Sequence, residues 1–401
     1  MSKTIHAGDR LARRNALILA SGGALAGANA TVIFATGAIV GVQLAPDPAL
    51  ATLPVSIFVV GMAAATLPTG AIAARYGRRI AFIAGTGCGV LMGVLAGLAV
   101  LASSFWLFCV ATFFAGCYAA VTQSYRFAAA DTASDAFKPK AISWVMAGGV
   151  LAGVIGPQLV QHTMDLYPPY TFAVSYAAQA LVALVAMAVV AQVDIPTPPP
   201  RKAGEGRPLM RIAAQPRFIA AVICGVVSYG LMNLVMTAAP LAMKMCGHSI
   251  SDSNLAIQWH VIAMFAPGFV TGSLISRFGA PAVIAAGLVL LVGAGIVDMA
   301  GTTVPHFWVG LILLGVGWNF GFVGASALVA QTAAPSERNR VQAFNDFLVF
   351  GTMAVGSFSS GQLLARFGWS TVNEVIFPLV AVAGVALVWH ARRQNRVAAA
   401  E

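Results

Sequence analysis

The length of its apolar runs limits what this chain can fold into more than any other feature. Charged, proline-rich and glycine-rich punctuation separates runs of about 20 residues or more. Six fall at residues 15–42, 53–74, 80–102, 104–129, 140–163 and 170–191, and six more at 216–240, 254–276, 281–301, 305–330, 341–364 and 370–391. A helix of about 20 apolar residues crosses a hydrocarbon core of about 30 Å. Composition agrees, since 59% of the 401 residues are hydrophobic and 9% are charged, against roughly 25% charged in a soluble domain. The fold class expected is an all-α membrane protein of twelve transmembrane helices. It divides into a six-helix bundle at 1–191, a linker at 192–215 and a second bundle at 216–401, the linker carrying three consecutive prolines and several basic residues.

The formal net charge of +10 is therefore a statement about topology and not about nucleic acid. With the N-terminus inside, every lysine and arginine except Lys244 and Arg366 falls on one side. That asymmetry puts both termini in the cytoplasm of a multi-pass protein of the bacterial inner membrane. The start of the chain imitates a signal peptide, with basic residues, an apolar stretch and AGANA. Its apolar run continues through about residue 42, too long for a signal sequence, so an uncleaved first helix is expected. The five cysteines (Cys88, Cys109, Cys117, Cys224 and Cys246) show neither CxxC spacing nor the density of a disulfide scaffold.

The two halves repeat. GAIAARYGRR at 70–79 matches GSLISRFGAP at 272–281, and DTASDAFKPK at 131–140 stands where QTAAPSERNR stands at 331–340. Six and six helices with repeated loops indicate a parallel duplication, with a site expected at the midplane between the halves. Over essentially its whole length the chain resembles the major facilitator superfamily of transporters, whose loop after the second helix is matched by Gly70, Ile72, Ala73, Arg75, Gly77, Arg78 and Arg79. The resemblance implies gating or coupling roles for Arg75, Arg78 and Arg79. Ala74 stands where the family has an Asp, which removes the charge contact that Asp makes.

Ionisable groups inside a bilayer are expensive and default to functional candidates. No Asp or Glu lies within the first six runs; Asp298, Asp346 and Glu374 lie near the ends of later ones and are expected at the interface. Asp346 is the best of them for a gate or proton contact. The ionisable group deep inside a run is His260, with Met264 four residues on, and the preceding run carries Met232 and Met236 at the same spacing. Each pair shares a helix face, and counting from the cytoplasmic ends puts both pairs at similar depth. Such stripes are either packing or soft metal ligands. Four soft donors without a carboxylate suit Cu(I).

Met-x-x-x-Met followed by His-x-x-x-Met resembles the CcoA-type copper importers within the superfamily. The resemblance implies Met232, Met236, His260 and Met264 as metal ligands, with Cys224 as inner and Cys246 as outer relay. Met243, Met245 and His248 around Cys246 form a candidate outer funnel, and Met62 matches Met264 by the repeat offset. The two cysteines are expected about 25–30 Å apart, too far for a disulfide. The function so implied is copper import by alternating access for cytochrome oxidase assembly. Copper ion would be the substrate, with cytoplasmic or periplasmic copper chaperones as partners. The carrier would be a monomer among membrane lipids, with no nucleic acid, catalytic cofactor or enzyme chemistry. Two rivals stand beside it: a proton-coupled organic-solute or drug exporter of the same fold, and a copper-binding assembly or sensor protein that transports nothing.

Overall fold

The computed structural model describes residues 7–134, 137–196, 207–333 and 337–398; Lys3 and linker residues 197–206 fall outside them. Among the described residues the chain is helical throughout, without strands. It divides into two compact units, Met1–Pro200 and Arg201–Glu401.

The first unit comprises α1 (Ala7–Leu44), a short 3-10 turn (Pro48–Leu50), α2 (Leu53–Tyr76), α3 (Arg78–Leu101), α4 (Phe105–Gln123), α5 (Tyr125–Asp131), α6 (Lys138–Thr163) and α7 (Ala173–Val190). The second comprises α8 (Leu209–Ala213), α9 (Pro216–Met245), α10 (Ile250–Phe265), α11 (Gly268–Phe278), α12 (Ala280–Ala300), α13 (Val304–Ala330), α14 (Arg338–Glu374) and α15 (Ile376–Ala398). Eleven stretches among the described residues are long and apolar enough to cross a membrane. The twelve expected runs all map onto helices, with three differences that have local causes. The fourth run breaks at Ser124, whose hydroxyl donates to the Val121 carbonyl at 2.7 Å. The eighth breaks at Ala266 and Pro267, where proline has no N–H to continue the ladder. The eleventh and twelfth meet without a loop, because Gly368 at φ 83° turns the chain inside α14.

Helix pairing repeats between the units. In the first, α1 packs on α6, α2 on α4, and α3 on α4 and α7. In the second, α9 packs on α14, α10 on α13, and α12 on α13 and α15. Counted by spans, these are the same pairs, as a duplicated bundle requires. The repeated loops also turn alike: Gly77 at φ 88° separates α2 from α3, and Gly279 at φ 82° separates α11 from α12. Only a residue without Cβ takes that backbone cheaply. Arg75 and Arg277, two residues earlier, each lie over the adjoining ring, Tyr76 and Phe278, at 5.2 Å.

Each described end of the linker is tied to its own unit. Asn15 on α1 donates to the Asp194 carbonyl at 2.7 Å and accepts from the Asp194 amide at 3.1 Å. Its amide also reaches Thr132 at 3.4 Å. In the second unit Arg207 grips Glu337 through Nη2 at 2.7 Å and Nε at 3.0 Å, and donates to the carbonyl of Thr332 at 3.0 Å. The Glu337 carboxylate raises the Arg207 pKa above its ordinary value. Thr132 and Thr332 occupy matching places in the repeated loops, so both units use the same loop to anchor the linker.

Candidate functional site

The face that α9 presents to α13 and α14 is set by its four-residue spacing. Gly225, Tyr229, Asn233 and Thr237 form one row. At its lower end a side chain on Gly225 would touch Ala325 of α13 and Val349 of α14, so the row starts in the groove between those helices. Tyr229 then meets three rings edge to face: Trp318 at 5.3 Å, Phe322 at 4.9 Å and Phe350 at 5.8 Å. Trp318 and Phe322 are stacked at 5.5 Å, and Phe265 at the end of α10 closes on Trp318 at 6.0 Å. Four helices thus contribute one aromatic cluster.

The helices that carry the rings also carry buried polar atoms that the protein does not use. Both side-chain polar atoms of Asn233, the hydroxyl of Thr237, the indole N–H of Trp318 and Nε2 of His260 are buried without a hydrogen-bond partner among the described residues. On α10, Ser253 and Asn254 are in the same condition. Buried polar groups are ordinarily satisfied, so each of these calls for an explanation. Pro240 adds to them, since it has no N–H to give the Met236 carbonyl one turn below.

The adjoining row of α9 is Cys224, Ser228, Met232 and Met236. It is turned to packing at its lower end: the Cys224 thiol donates to the Ala383 carbonyl of α15 at 3.7 Å, and Ser228 lies against Gly321 of α13. Met232 and Met236 continue the row, each nearly fully buried. His260 is buried with Nδ1 at 2.6 Å from the Leu311 carbonyl of α13. Met264, also buried, lends its carbonyl to the side-chain amide of Asn319 at 2.7 Å, and Asn319 in turn accepts from Thr271 at 2.6 Å. Asn319 thereby bridges the break between α10 and α11. Met232, Met236, His260 and Met264 are all buried on helices that pack on α13; α9 and α10 touch each other only slightly.

The residues of the expected outer funnel differ in exposure. Met243 is fully buried whereas Met245 is 63% exposed, and His248 is committed through Nε2 to the Thr302 carbonyl at 2.7 Å. Cys246, exposed at the end of α9, and Cys224 are both free thiols. Among the described residues no group of three or more His, Cys, Asp or Glu is placed to hold a metal ion. Met62 is buried on α2. Of the candidate coupling residues, Arg78 pairs with Asp131 at 3.1 Å, Arg79 is exposed, and Asp346 accepts from Asn345 at 3.1 Å.

The model of the Major Facilitator Superfamily matches residues 17–318 and 221–401. The chain belongs to the major facilitator superfamily. It is a multi-pass protein of the bacterial cytoplasmic membrane. Among curated relatives it is 47% identical over 393 residues to the riboflavin transporter RfnT of Brucella anthropi, covering 97% of this chain and 98% of the relative. It is 28% identical to the transporter YdeG of Bacillus subtilis, over 80% of this chain and 79% of that one. Among solved structures the nucleoside transporter NupG matches with a TM-score of 0.70 at 14% identity, covering 95% of this chain and 99% of that one. A peptide transporter of the POT family matches with 0.66 at 14% identity, covering 96% and 97%. These two share the fold.

The likeness to a riboflavin transporter corrects the narrower expectation. The resemblance to CcoA-type copper importers rested on two short motifs in α9 and α10, whereas the likeness to a riboflavin transporter runs the length of the chain. Copper as substrate, copper import for cytochrome oxidase assembly, the copper sensor rival and copper chaperones as partners are withdrawn on that ground. The physical reason the motifs misled is plain in α9 and α10: four-residue spacing of large, soft side chains is also what helices packing on α13 produce. The sequence reading passed over Asn233 and Thr237, which share that spacing within the same ten residues, and the rings that surround Tyr229.

Proposed function

We propose that the protein carries riboflavin, or a close flavin relative, across the cytoplasmic membrane by alternating access. The observation that carries this reading is the 47% identity with a riboflavin transporter across 97% of the chain. The site's chemistry supports it. Riboflavin joins a flat, uncharged tricyclic ring to a chain of hydroxyls. The ring would lie among Tyr229, Trp318 and Phe322, where offset and edge-to-face aromatic contacts add about 0.5–1.5 kcal/mol each beyond burial. The hydroxyls and the ring's own amide-like edge would take up the unused donors and acceptors of Asn233, Thr237, Trp318 and His260. Among the described residues no carboxylate, lysine or arginine belongs to this cluster, which suits a neutral solute. Met232, Met236 and Met264 become pliable apolar lining in this reading. The carrier needs no catalytic cofactor and performs no enzyme chemistry.

The test is growth and flux. A riboflavin-requiring bacterium lacking its own importer should grow on low riboflavin when it expresses this chain, and radiolabelled riboflavin should accumulate in its membrane vesicles. Absence of both, with the protein present in the membrane, would remove the reading.

A further inference from the structure

Asp298, expected at the membrane interface, is instead buried near the outer end of α12. It is 1% exposed, and neither carboxyl oxygen has a hydrogen-bond partner among the described residues. A carboxylate without donor or counter-ion in such surroundings is far costlier than the neutral acid. The seam between α12 and α13 is shaped to hold it. Gly310 of α13 stands directly against the carboxyl group, and any side chain there would overlap Oδ1. Trp369, itself buried, donates its indole N–H to the Asp298 carbonyl at 3.2 Å and packs on Phe307 with ring centroids 5.1 Å apart.

A second titratable group stands further outward. A Cβ on Gly301 would lie 2.6 Å from the His306 ring. Gly301 is the residue after α12, in extended backbone at φ −179°, and His306 is four before Gly310 on α13. His306 thus closes the turn between the two helices, about one helical turn outward of the Gly310 contact along α13. His306 is half-buried, and its Nδ1 lies 2.7 Å from the hydroxyl of exposed Thr303. It therefore stands between outer water and the buried acid.

Among the described residues, the other charged groups on elements packed against α12 are turned away or far off, with Arg217 on α9, Asp346 on α14 and His390 and Arg393 on α15 toward the ends of those helices opposite Asp298. Arg366 and Glu374 on α14 and Lys244 on α9 are exposed. Arg277 on α11 borders the opposite end of α12, about 30 Å along the axis from Asp298. Arg392 on α15 is about 24 Å along that helix from Ile376, the residue that meets Gly295 of α12. His248 is held on the Thr302 carbonyl by its Nε2.

We propose that Asp298 is a proton-binding site of the carrier, reached from the outer face past His306, and that loading it holds the α12–α13 seam closed. In the loading step the His306 imidazolium gives up an N–H proton, relayed by water entering the seam, as an O–H bond forms on the Asp298 carboxylate, and a hydronium ion of the outer water reprotonates the neutral imidazole left behind. In the reverse step the carboxylate appears only as the seam admits water. The consequence reaches the aromatic cluster through α13, which carries Trp318 about 12 Å and Phe322 about 18 Å along the helix from Gly310. A change at Gly310 thus bears on the helix that holds both rings.

The first test uses no transported solute, so its failure is separable from failure of the flavin reading. The full chain, with isotopically labelled aspartate, is reconstituted in liposomes and titrated by difference infrared spectroscopy. A protonated-acid carbonyl band that moves with the aspartate label is expected in the wild type and absent in Asp298→Asn. After a drop in external pH the band should grow more slowly in His306→Gln. If the wild type shows no such band at any pH, the site is refuted, and this arm decides even where the asparagine variant fails to insert. A band in His306→Gln that grows at the wild-type rate refutes the route. The second test asks for coupling. The ratio of riboflavin uptake at acidic to alkaline external pH should exceed one in the wild type and fall to one in Asp298→Asn, while riboflavin exchange at equal pH persists. An asparagine variant that follows external pH as the wild type does would overturn the proposal.

Discussion

Tyr229 of α9 and Trp318 of α13 meet edge to face, their ring centroids 5.3 Å apart and their planes at 89°. The pair ties the row that carries Asn233 and Thr237 to the helix that carries the stacked Trp318 and Phe322. Its members come from distant parts of the sequence, and its polar atom, the Trp318 indole N–H, is unused. Removing the ring by Trp318→Ala should weaken riboflavin binding about 2- to 10-fold or more, since one aromatic contact is worth about 0.5–1.5 kcal/mol. Trp318→Phe should retain most of the ring stacking and lose only the indole hydrogen bond. Fluorescence quenching of bound riboflavin on purified protein measures both, and equal affinities in all three proteins would remove the cluster from the site.

Asn233 and Thr237 allow a prediction in which stability and function move apart. Because their polar atoms are buried without partners, Asn233→Leu and Thr237→Val remove a desolvation cost, and the melting temperature should hold or rise. The Michaelis constant for riboflavin should increase about 2- to 10-fold per lost hydrogen bond of about 0.5–1.5 kcal/mol. Binding of a flavin ring that lacks the hydroxyl chain should change less. A fall in melting temperature without a change in transport would assign both residues to structure.

Met232→Leu and Met236→Leu conserve volume and remove only sulfur. Each should cost less than about 1.5 kcal/mol of stability and leave riboflavin uptake within about twofold of the wild type. Cellular copper, measured by mass spectrometry, should be the same with and without the protein. Copper accumulation that depends on these sulfurs would restore the metal reading.

Arg207 and Glu337 hold the linker to the second unit through two side-chain contacts at 2.7 and 3.0 Å. The carboxylate is buried and the guanidinium is not. Arg207→Gln should lower the thermal midpoint of the protein by removing the charge from a carboxylate that stays buried. Thermal unfolding in detergent checks this, and an unchanged midpoint would make the clasp incidental.

The architecture was legible because run length and positive charge act over whole segments, and no local detail can reverse them. What was not legible were the turns that need only one residue. Ser124 and Pro267 each interrupt a run counted as one span, whereas the turn at Gly368 falls where the sequence already separates the eleventh run from the twelfth. The site was legible only in part, for a related reason. Helical periodicity marks rows but does not say which neighbour each row faces. On α9 the row of Met232 and the row of Asn233 have the same spacing, and soft donors drew the eye to the first. The contact of Tyr229 with Trp318, the partner that Asn319 supplies to Met264 and the burial of Asp298 all depend on how α13 packs, which the local pattern does not contain.

The central claim is tested most directly by riboflavin flux through the purified protein alone. Liposomes containing the wild-type chain should take up radiolabelled riboflavin in a saturable manner and exchange it against unlabelled riboflavin inside, whereas liposomes containing the Tyr229→Ala, Trp318→Ala double variant should do so far more slowly. Uptake no faster than in protein-free liposomes, from protein shown to be folded and inserted, would contradict the account.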